Sequence, residues 1–359
     1  MFPILYESVT IGTVPQHNGG ILSDCISCEA EEARNGINEL TLKYPMSGIH
    51  ANQIFKYSII KAKPNPTDDP QLFYVDRIGK VLNGYFTIYC KHISYLLSGY
   101  LITSGTAGSA VAACSLLESN ATGFTITTDK TTTGDFKITE PSSVRSWFGG
   151  KTGSLLDVYG TGEWKYNNFT CNLLLHRGED RGQTIRYGKN LLELSQEIDA
   201  SNLYTHVICF WKNEDNMVLG NKVATGLTLI AERTLVLDMS NDYEEAPTNT
   251  QLTQKAQNYI SSNNLTTPNN NIKLDFVQSG ELTNRVDLCD TVSIYYEALG
   301  ITRTQMKCIR TVFDVIKEKY IETEFGDART NLADTMVAQS KAIESKPSKS
   351  YLAEAVEHG

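Results

Sequence analysis

Residues 147–194 constrain this chain more than any other stretch. They read WFGGKTGSLLDVYGTGEWKYNNFTCNLLLHRGEDRGQTIRYGKNLLEL. A glycine-punctuated segment, a Trp-containing turn, an alternating strand, an RGEDRG loop and an IRYGKNL strand exit follow one another in fixed order. Turn residues separate short periodic runs, which sets where the chain must reverse. None of these pieces has the chemistry of an active site, and their order suits a part of an assembly.

A chain of 359 residues exceeds one ordinary core, so about two to four domains are expected. Its 41% hydrophobic and 20% charged content is that of a folded soluble protein. No apolar run approaches the ~18 residues of a spanning helix. The N-terminus, MFPILYESV, lacks a basic segment and a long enough apolar run for a signal peptide, so folding in a cytoplasm is expected. In that reducing compartment Cys25, Cys28, Cys90, Cys114, Cys171, Cys209, Cys289 and Cys308 are read as small buried hydrophobes. A net charge of −9 argues against a surface built to hold nucleic acid, which needs clustered Lys and Arg. It does not argue against a conduit that nucleic acid slides past.

Residues 1–102 read as β-rich. Asn35-Gly36 is a hairpin signal in which both turn positions would take positive φ. After it, Leu40, Leu42 and Tyr44 fall on one strand face and Glu39, Thr41 and Lys43 on the other. Strands are expected at 54–60, 71–78 and 85–90, the first two split by the Pro64–Pro70 loop, with barrel or sandwich spacing. Residues 103–200 read as an α/β insert. Its first helix lies within 104–120 and places Val111, Cys114, Leu117 and Ala121 at helical spacing. A strand at 124–127, a helix through Trp147 capped by Ser142 or Ser143, and a helix near 154–158 follow. Strands at 169–175 and 184–187 are expected to pair around the Arg177–Gly182 loop. Residues 201–245 and 285–326 return to strands, interrupted over 246–284 by an insert whose helix buries Leu252, Ala256, Tyr259 and Ile260. Residues 327–359 read as a helix with a narrow Leu332, Met336, Gln339, Ile343 seam, ended by Pro347 and followed by a loose tail.

Each candidate for chemistry has a plain structural reading beside it. Cys25 and Cys28 have CxxC spacing, but zinc needs a second pair, and strand residues three apart point to opposite faces. Gly149-Gly150-Lys151-Thr152 looks like part of a phosphate loop. The glycine required upstream is replaced by Arg145, however, which leaves a turn between helices. Cys90 and His92 share one strand face, whereas a Cys/His pair needs an exposed thiolate. His17, His50, His176 and His206 are isolated. Asp238, Asp242, Glu244 and Glu245 lack the alternation and central Gly of a calcium loop, so a solvated loop is expected. No HExxH or GxSxG occurs. No catalytic residue, cofactor or metal ligand is therefore assigned. The loop carrying Arg177, Glu179, Asp180 and Arg181 is either a salt-bridged hairpin tip or a contact used when subunits meet.

With those residues in view, the chain resembles the N-terminal hub region of phage tail-associated minor structural proteins, the prophage tail endopeptidase or Tal-type family. The motifs that carry the resemblance are LYES, EEARNGINELTLKYPMSG, IYCKHISYLLSG, the GGKTG…YGKNL block, LCDTVSIYY and FDVIKEKYIETEFG. Together they span about residues 1–326. The resemblance implies an α+β, multi-domain, β-rich chain. Two related tail-tube-type β-barrels (1–102, and 201–245 with 285–326) are interrupted by two α/β inserts and followed by a C-terminal helix. It implies a homotrimer whose six barrels form a pseudo-hexameric ring, similar to contractile-tail hubs and type VI spike bases. Implied partners are a distal tail or tail tube protein, a tape measure protein and a spike or fibre protein, with DNA passing without specific binding and no membrane segment. The implied location is the virion tail tip or baseplate, after assembly in the bacterial host cytoplasm. Possible subunit contacts are Arg177, Arg181, Leu332, Met336 and Ile343. Many such proteins continue into a fibre or hydrolase, whereas this chain stops at Gly359, as a short member or a truncated form. The endopeptidase activity is not carried over, because its residues are not visible. Two alternatives stand beside this reading: a tail-associated peptidoglycan hydrolase, and a carbohydrate-binding host-contact protein using Trp147 and Trp164.

Overall fold

Alternation of side chains sorts the first hundred residues into an antiparallel sheet. The computed structural model describes residues 1–16, 19–80, 84–151, 153–160, 162–186, 191–213, 216–240, 242–243, 245–276, 286–297 and 301–326. The helix expected over 327–359, with Leu332, Met336 and Ile343, lies outside the described residues, as does His17. The chain divides into two compact units. The first comprises Met1–Arg177 with Phe313–Lys319. The second comprises Gly178–Val312 and, among the described residues, 320–326.

In the first unit the strands are β1 (Ile4–Tyr6), β2 (Gly20–Ile21), β3 (Ser27–Ala33), β4 (Asn38–Pro45), β5 (Ile59–Ala62), β6 (Gln71–Lys80) and β7 (Tyr85–His92). They lie side by side in the order β3-β4-β7-β6-β5-β1-β2, every pair antiparallel. Leu40, Leu42 and Tyr44 of β4 are fully buried, as their alternation required. Burial of each such side chain contributes roughly 1.5–3 kcal/mol. The β3–β4 hairpin forms at Asn35-Gly36, but only Asn35 is left-handed (φ 54°). The turn is closed by the Gly36 N–H donating to the Ala33 carbonyl. The strand expected over 54–60 starts only at Ile59. A 3-10 turn occupies Ala51–Gln53, Tyr57 is left-handed (φ 69°), and the Ser58 hydroxyl accepts from the Phe55 N–H.

The rest of this unit holds β8 (Leu101–Ile102), β9 (Thr106–Ser109), α1 (Ala110–Ser119), β10 (Thr125–Thr128), β11 (Thr133–Lys137), β12 (Ser142–Ser143), a 3-10 turn at Val144–Trp147, α2 (Leu155–Val158), β13 (Glu163–Asn167) and β14 (Thr170–Leu174). Helix α1 starts late because β9 pairs with β11, and Ser109 then caps it by accepting from the Ala112 N–H. Its buried face is Ala110, Ala113, Cys114 and Leu117; Val111 is 52% exposed, against expectation. The helices through Trp147 and at 155–158 form where expected, and Ser143 caps the first. One hydrophobic cluster joins Tyr6, Ile59, Leu72 and Tyr74 of the sheet to Cys114, Phe136, Trp147 and Trp164. This layer therefore has no core separate from the sheet.

The second unit holds β15 (Asp180–Arg186), β16 (Leu191–Asp199), β17 (His206–Lys212), β18 (Met217–Leu219), β19 (Val223–Ala224), β20 (Thr234–Asp238), α3 (Asn249–Ser262), β21 (Asn269–Phe276), β22 (Thr291–Tyr296) and all but the joined ends of β23 (Ile301–Asp314) and β24 (Lys319–Gly326). Six of these strands pair in the order β15-β22-β23-β24-β21-β16, with β15 parallel to β22. Strands 169–175 and 184–187 thus do not pair with each other. Strand β14 instead turns back on β13 through left-handed Asn168 (φ 52°) and lies parallel to β10. Strands β17–β20 form a sheet of their own, packed through Val207, Cys209 and Trp211 on Leu252 and Ala256 of α3. The hydrogen bonding thereby separates 206–238 from the strands of 291–326, with which the sequence reading had grouped them. Thr248 and Gln251 form a capping box on α3.

The Asn35 side chain bonds both the Gly162 carbonyl (2.6 Å) and the Trp164 N–H (2.5 Å). Asn35→Gly keeps the turn and strands these two buried groups, so it is expected to cost about 1–3 kcal/mol. Asn35→Ala adds the left-handed penalty, about 1–2 kcal/mol more. Urea unfolding of both variants beside the parent measures the two terms separately.

Candidate functional site

Among the described residues that could have carried chemistry, the cysteines and His92 are packed and most of the others are paired at the surface. Cys25 and Cys28 are buried free thiols. Burial pushes the Cys25 thiol up to about 12 and the Cys28 and Cys90 thiols well above their ordinary value. A thiolate nucleophile is thus disfavoured at each. His92 is enclosed: its Nδ1 pairs with the Ser94 hydroxyl (2.9 Å) and its Nε2 with Gln71 Oε1 (3.3 Å). Burial first, then the charges of Arg145 and Arg177, lower its pKa to about 3, so the ring stays neutral. His50 contacts Gln53 Oε1, His206 contacts Thr205 Oγ1, and His176 is exposed. Lys151 of the Gly-Gly-Lys segment sits 3.4 Å from the Trp147 ring centroid and pairs with Glu140, so its ammonium serves a cation–π contact. Asp238 caps Ser240, Asp242 pairs with Lys255, and Glu245 is exposed. No group of three or more His, Cys, Asp or Glu among the described residues could hold a metal ion. Trp147 and Trp164 are buried, which removes the sugar platform that the host-contact alternative needs.

What the first unit does build is a buried polar clamp between its sheet and its α/β layer. Arg177 grips Glu32 of β3 with two bonds, Nη1 to Oε1 (2.6 Å) and Nη2 to Oε2 (2.9 Å). Its side chain is 7% exposed. Arg34 at the hairpin pairs with Glu163 of β13 (3.1 Å), and Glu163 also accepts from the Arg177 N–H (2.7 Å). Across β6, the Asn168 N–H donates to Gln71 Oε1 (2.5 Å), while Asn168 Oδ1 accepts from the Leu72 N–H (2.8 Å). Asp68 adds contacts to Lys165 and Arg177. Burial opposes its ionisation, but the Asn65 hydrogen bond and those two cations hold its carboxyl below the ordinary range. In the second unit, Arg181 is 26% exposed and pairs with Glu179 (3.2 Å), Asp287 (3.4 Å) and Asp290 (2.8 Å). Both arginines of the RGEDRG loop therefore have intramolecular partners. Sequence reading missed Asn35, Gln71, Glu32 and Asn168 as positioning residues. Only the turn signal at Asn35 and the paired asparagines at 167–168 marked any of them.

No helix of the described residues is long and apolar enough to cross a membrane. No protein-family model matches the chain, and no curated protein does either. Solved structures do share its fold. The prophage tail protein gp18 from Listeria monocytogenes EGD-e has a TM-score of 0.59 at 16% identity, covering 96% of this chain and 100% of that one. The 43 kDa tail protein of prophage MuSo2 from Shewanella oneidensis gives 0.58 at 10% identity, with 94% and 99% covered. A tail protein from Neisseria meningitidis MC58 gives 0.56 at 9%, with 91% and 96% covered. The fold is thus the β-rich tail-protein fold, in agreement at that level with the resemblance read from the motifs.

All eight cysteines are free and buried. An aromatic disulfide reagent is accordingly expected to label none in the native protein and eight after unfolding; rapid native labelling of Cys25 or Cys90 would contradict the packing. His92 gives a pH signature. Its folded pKa lies below the ordinary value, so its contribution to stability is complete above about pH 6.5 and falls as pH drops toward 3. The slope is at most about 1.4 kcal/mol per pH unit. His92→Gln is expected to flatten the urea-midpoint profile within that window.

Proposed function

We propose that this chain is a structural component of a phage or prophage-derived tail, a homotrimeric hub at the tail tip or baseplate. The carrying observation is the end-to-end sharing of fold with three tail proteins, two of them from prophages. In this reading the β1–β7 sheet and the β15-β22-β23-β24-β21-β16 sheet are two related barrel modules, and three chains present six of them. Such a ring would adapt a six-fold tail tube or distal tail protein to a three-fold spike or fibre, with the tape measure protein and DNA passing its bore. The net charge of −9 supports a passage to which nucleic acid does not adhere. Arg181 and the segment carrying Leu332, Met336 and Ile343 are the proposed subunit contacts, and permanent interfaces of this kind are apolar at their centres. Buried thiols and a neutral, enclosed His92 support a scaffold over a hydrolase.

Light scattering after gel filtration is expected to give three times the 39.9 kDa of one chain, and negative-stain images a ring with a central opening. A chain that stays monomeric alone and in mixtures with its distal tail protein would sink the hub. Clearing of purified peptidoglycan, abolished by Cys90→Ala, would sink the non-enzymatic reading.

A further inference from the structure

Asn35-Gly36 carries a chemistry of its own. In an asparagine followed by glycine, the backbone nitrogen of the glycine readily attacks the side-chain amide, because no Cβ beside that nitrogen hinders the approach. The attack joins the Gly36 nitrogen to Cγ of Asn35 and breaks the Cγ–Nδ2 bond. Ammonia leaves with the Gly36 amide proton, and a cyclic imide remains. Water then opens the imide at either of its C–N bonds, which gives aspartate or isoaspartate at position 35. Nothing is oxidised or reduced, and water is the sole co-reactant.

Hairpin tips ordinarily face solvent, but this one is turned inward, and Asn35 is 6% exposed. Its leaving group, Nδ2, donates to the Gly162 carbonyl (2.6 Å), and its Oδ1 accepts from the Trp164 N–H (2.5 Å). The attacking nitrogen is committed as well, since the Gly36 N–H donates to the Ala33 carbonyl (3.0 Å). Both ends of the reaction are therefore held while the hairpin is closed. The Arg34–Glu163 and Arg177–Glu32 pairs hold the same hairpin, and local openings against such contacts are rare excursions. The product bars the way back. Aspartate at position 35 has no N–H for the Gly162 carbonyl and sets a carboxylate oxygen against it. A buried carboxylate needs a partner, and Arg34 beside it is already paired with Glu163. Isoaspartate in addition lengthens the backbone within the turn.

We propose that Asn35 is a modification site gated by opening of the β3–β4 hairpin. Closed on β13, the hairpin keeps its amide; detached, it converts to the acid and does not close again. The chain thereby marks, irreversibly, those copies whose α/β layer has come away from the sheet. Peptide mapping of the parent chain tests this, in mildly alkaline buffer and in urea above the unfolding midpoint, by following the amide-to-acid mass gain at position 35. The other two Asn-Gly pairs, at 18–19 and 83–84, serve as clocks in the same sample. All three are expected to convert at comparable rates in urea, and position 35 to convert at least about 100-fold more slowly in buffer. Gly36→Ala places a Cβ beside the attacking nitrogen and is expected to slow position 35 in urea, where folding does not enter. Asn35→Asp makes the product directly and is expected to lower the folded-to-unfolded ratio about 30-fold or more. Equal conversion of position 35 in buffer and urea, an unchanged urea rate in Gly36→Ala, or parent-like stability of Asn35→Asp would each overturn the proposal.

Discussion

The bidentate bond between Arg177 and Glu32 is the constraint on which the first unit depends. It spans 145 residues of sequence and lies beside Arg34–Glu163 and the Asn35 amide, so the β3–β4 hairpin is tied to β13 through Arg34 and Asn35 and to the segment after β14 through Glu32. Two buried charges do not stabilise a fold by themselves, because their desolvation offsets their attraction. Their effect is selective. With one partner removed, the other is left as a buried charge, at a cost of about 3–5 kcal/mol. Any arrangement of the α/β layer that misplaces Arg177 is penalised by that amount, whereas hydrophobic contact alone tolerates small slips.

That division of labour explains how much of the molecule was legible in its sequence. Positions read by local period were right: Leu40, Leu42 and Tyr44 on β4, Leu252 and Ala256 on α3, the Ser143 cap and the Asn35-Gly36 hairpin. Burial follows from period alone, and turn residues report their own backbone. The errors concern partners. Nothing local distinguishes a β14 that pairs with β15 from one that pairs with β13 and β10, because both satisfy the same alternation. Of the residues read at helical spacing around α1, Cys114, Leu117 and Ala121 are buried and Val111 alone is exposed, since an alanine-rich run supports a stripe through Ala110 as well as one through Val111. The clamp itself was invisible. Asn35 announces a turn, and no pattern near it reveals an amide aimed at residues 127 and 129 positions away.

The candidate chemistry follows the same logic. A cysteine or histidine on the inward face of a strand is a packing residue by position, and desolvation then completes its silence: the Cys90 thiol is held protonated and the His92 ring neutral. Lys151, the residue most suggestive of phosphate in the sequence, lies over Trp147. Among the described residues these candidate groups are thus paired, stacked or enclosed, within a fold shared with the Listeria prophage tail protein gp18.

Strands β16 and β21 have one more consequence. After a bulge between Leu191 and Glu193 they are in unbroken register from Glu193 opposite Asp275 to Asp199 opposite Asn269, and the whole β17–β20 and α3 layer leaves and returns between those last two positions. With its own core, that layer is a cassette mounted on the end of the β16–β21 pair, whose β21 also pairs with β24. Its buried apolar contacts come from residues 204–265, so a substitution within that core loosens the layer through contacts that the strands beneath do not share.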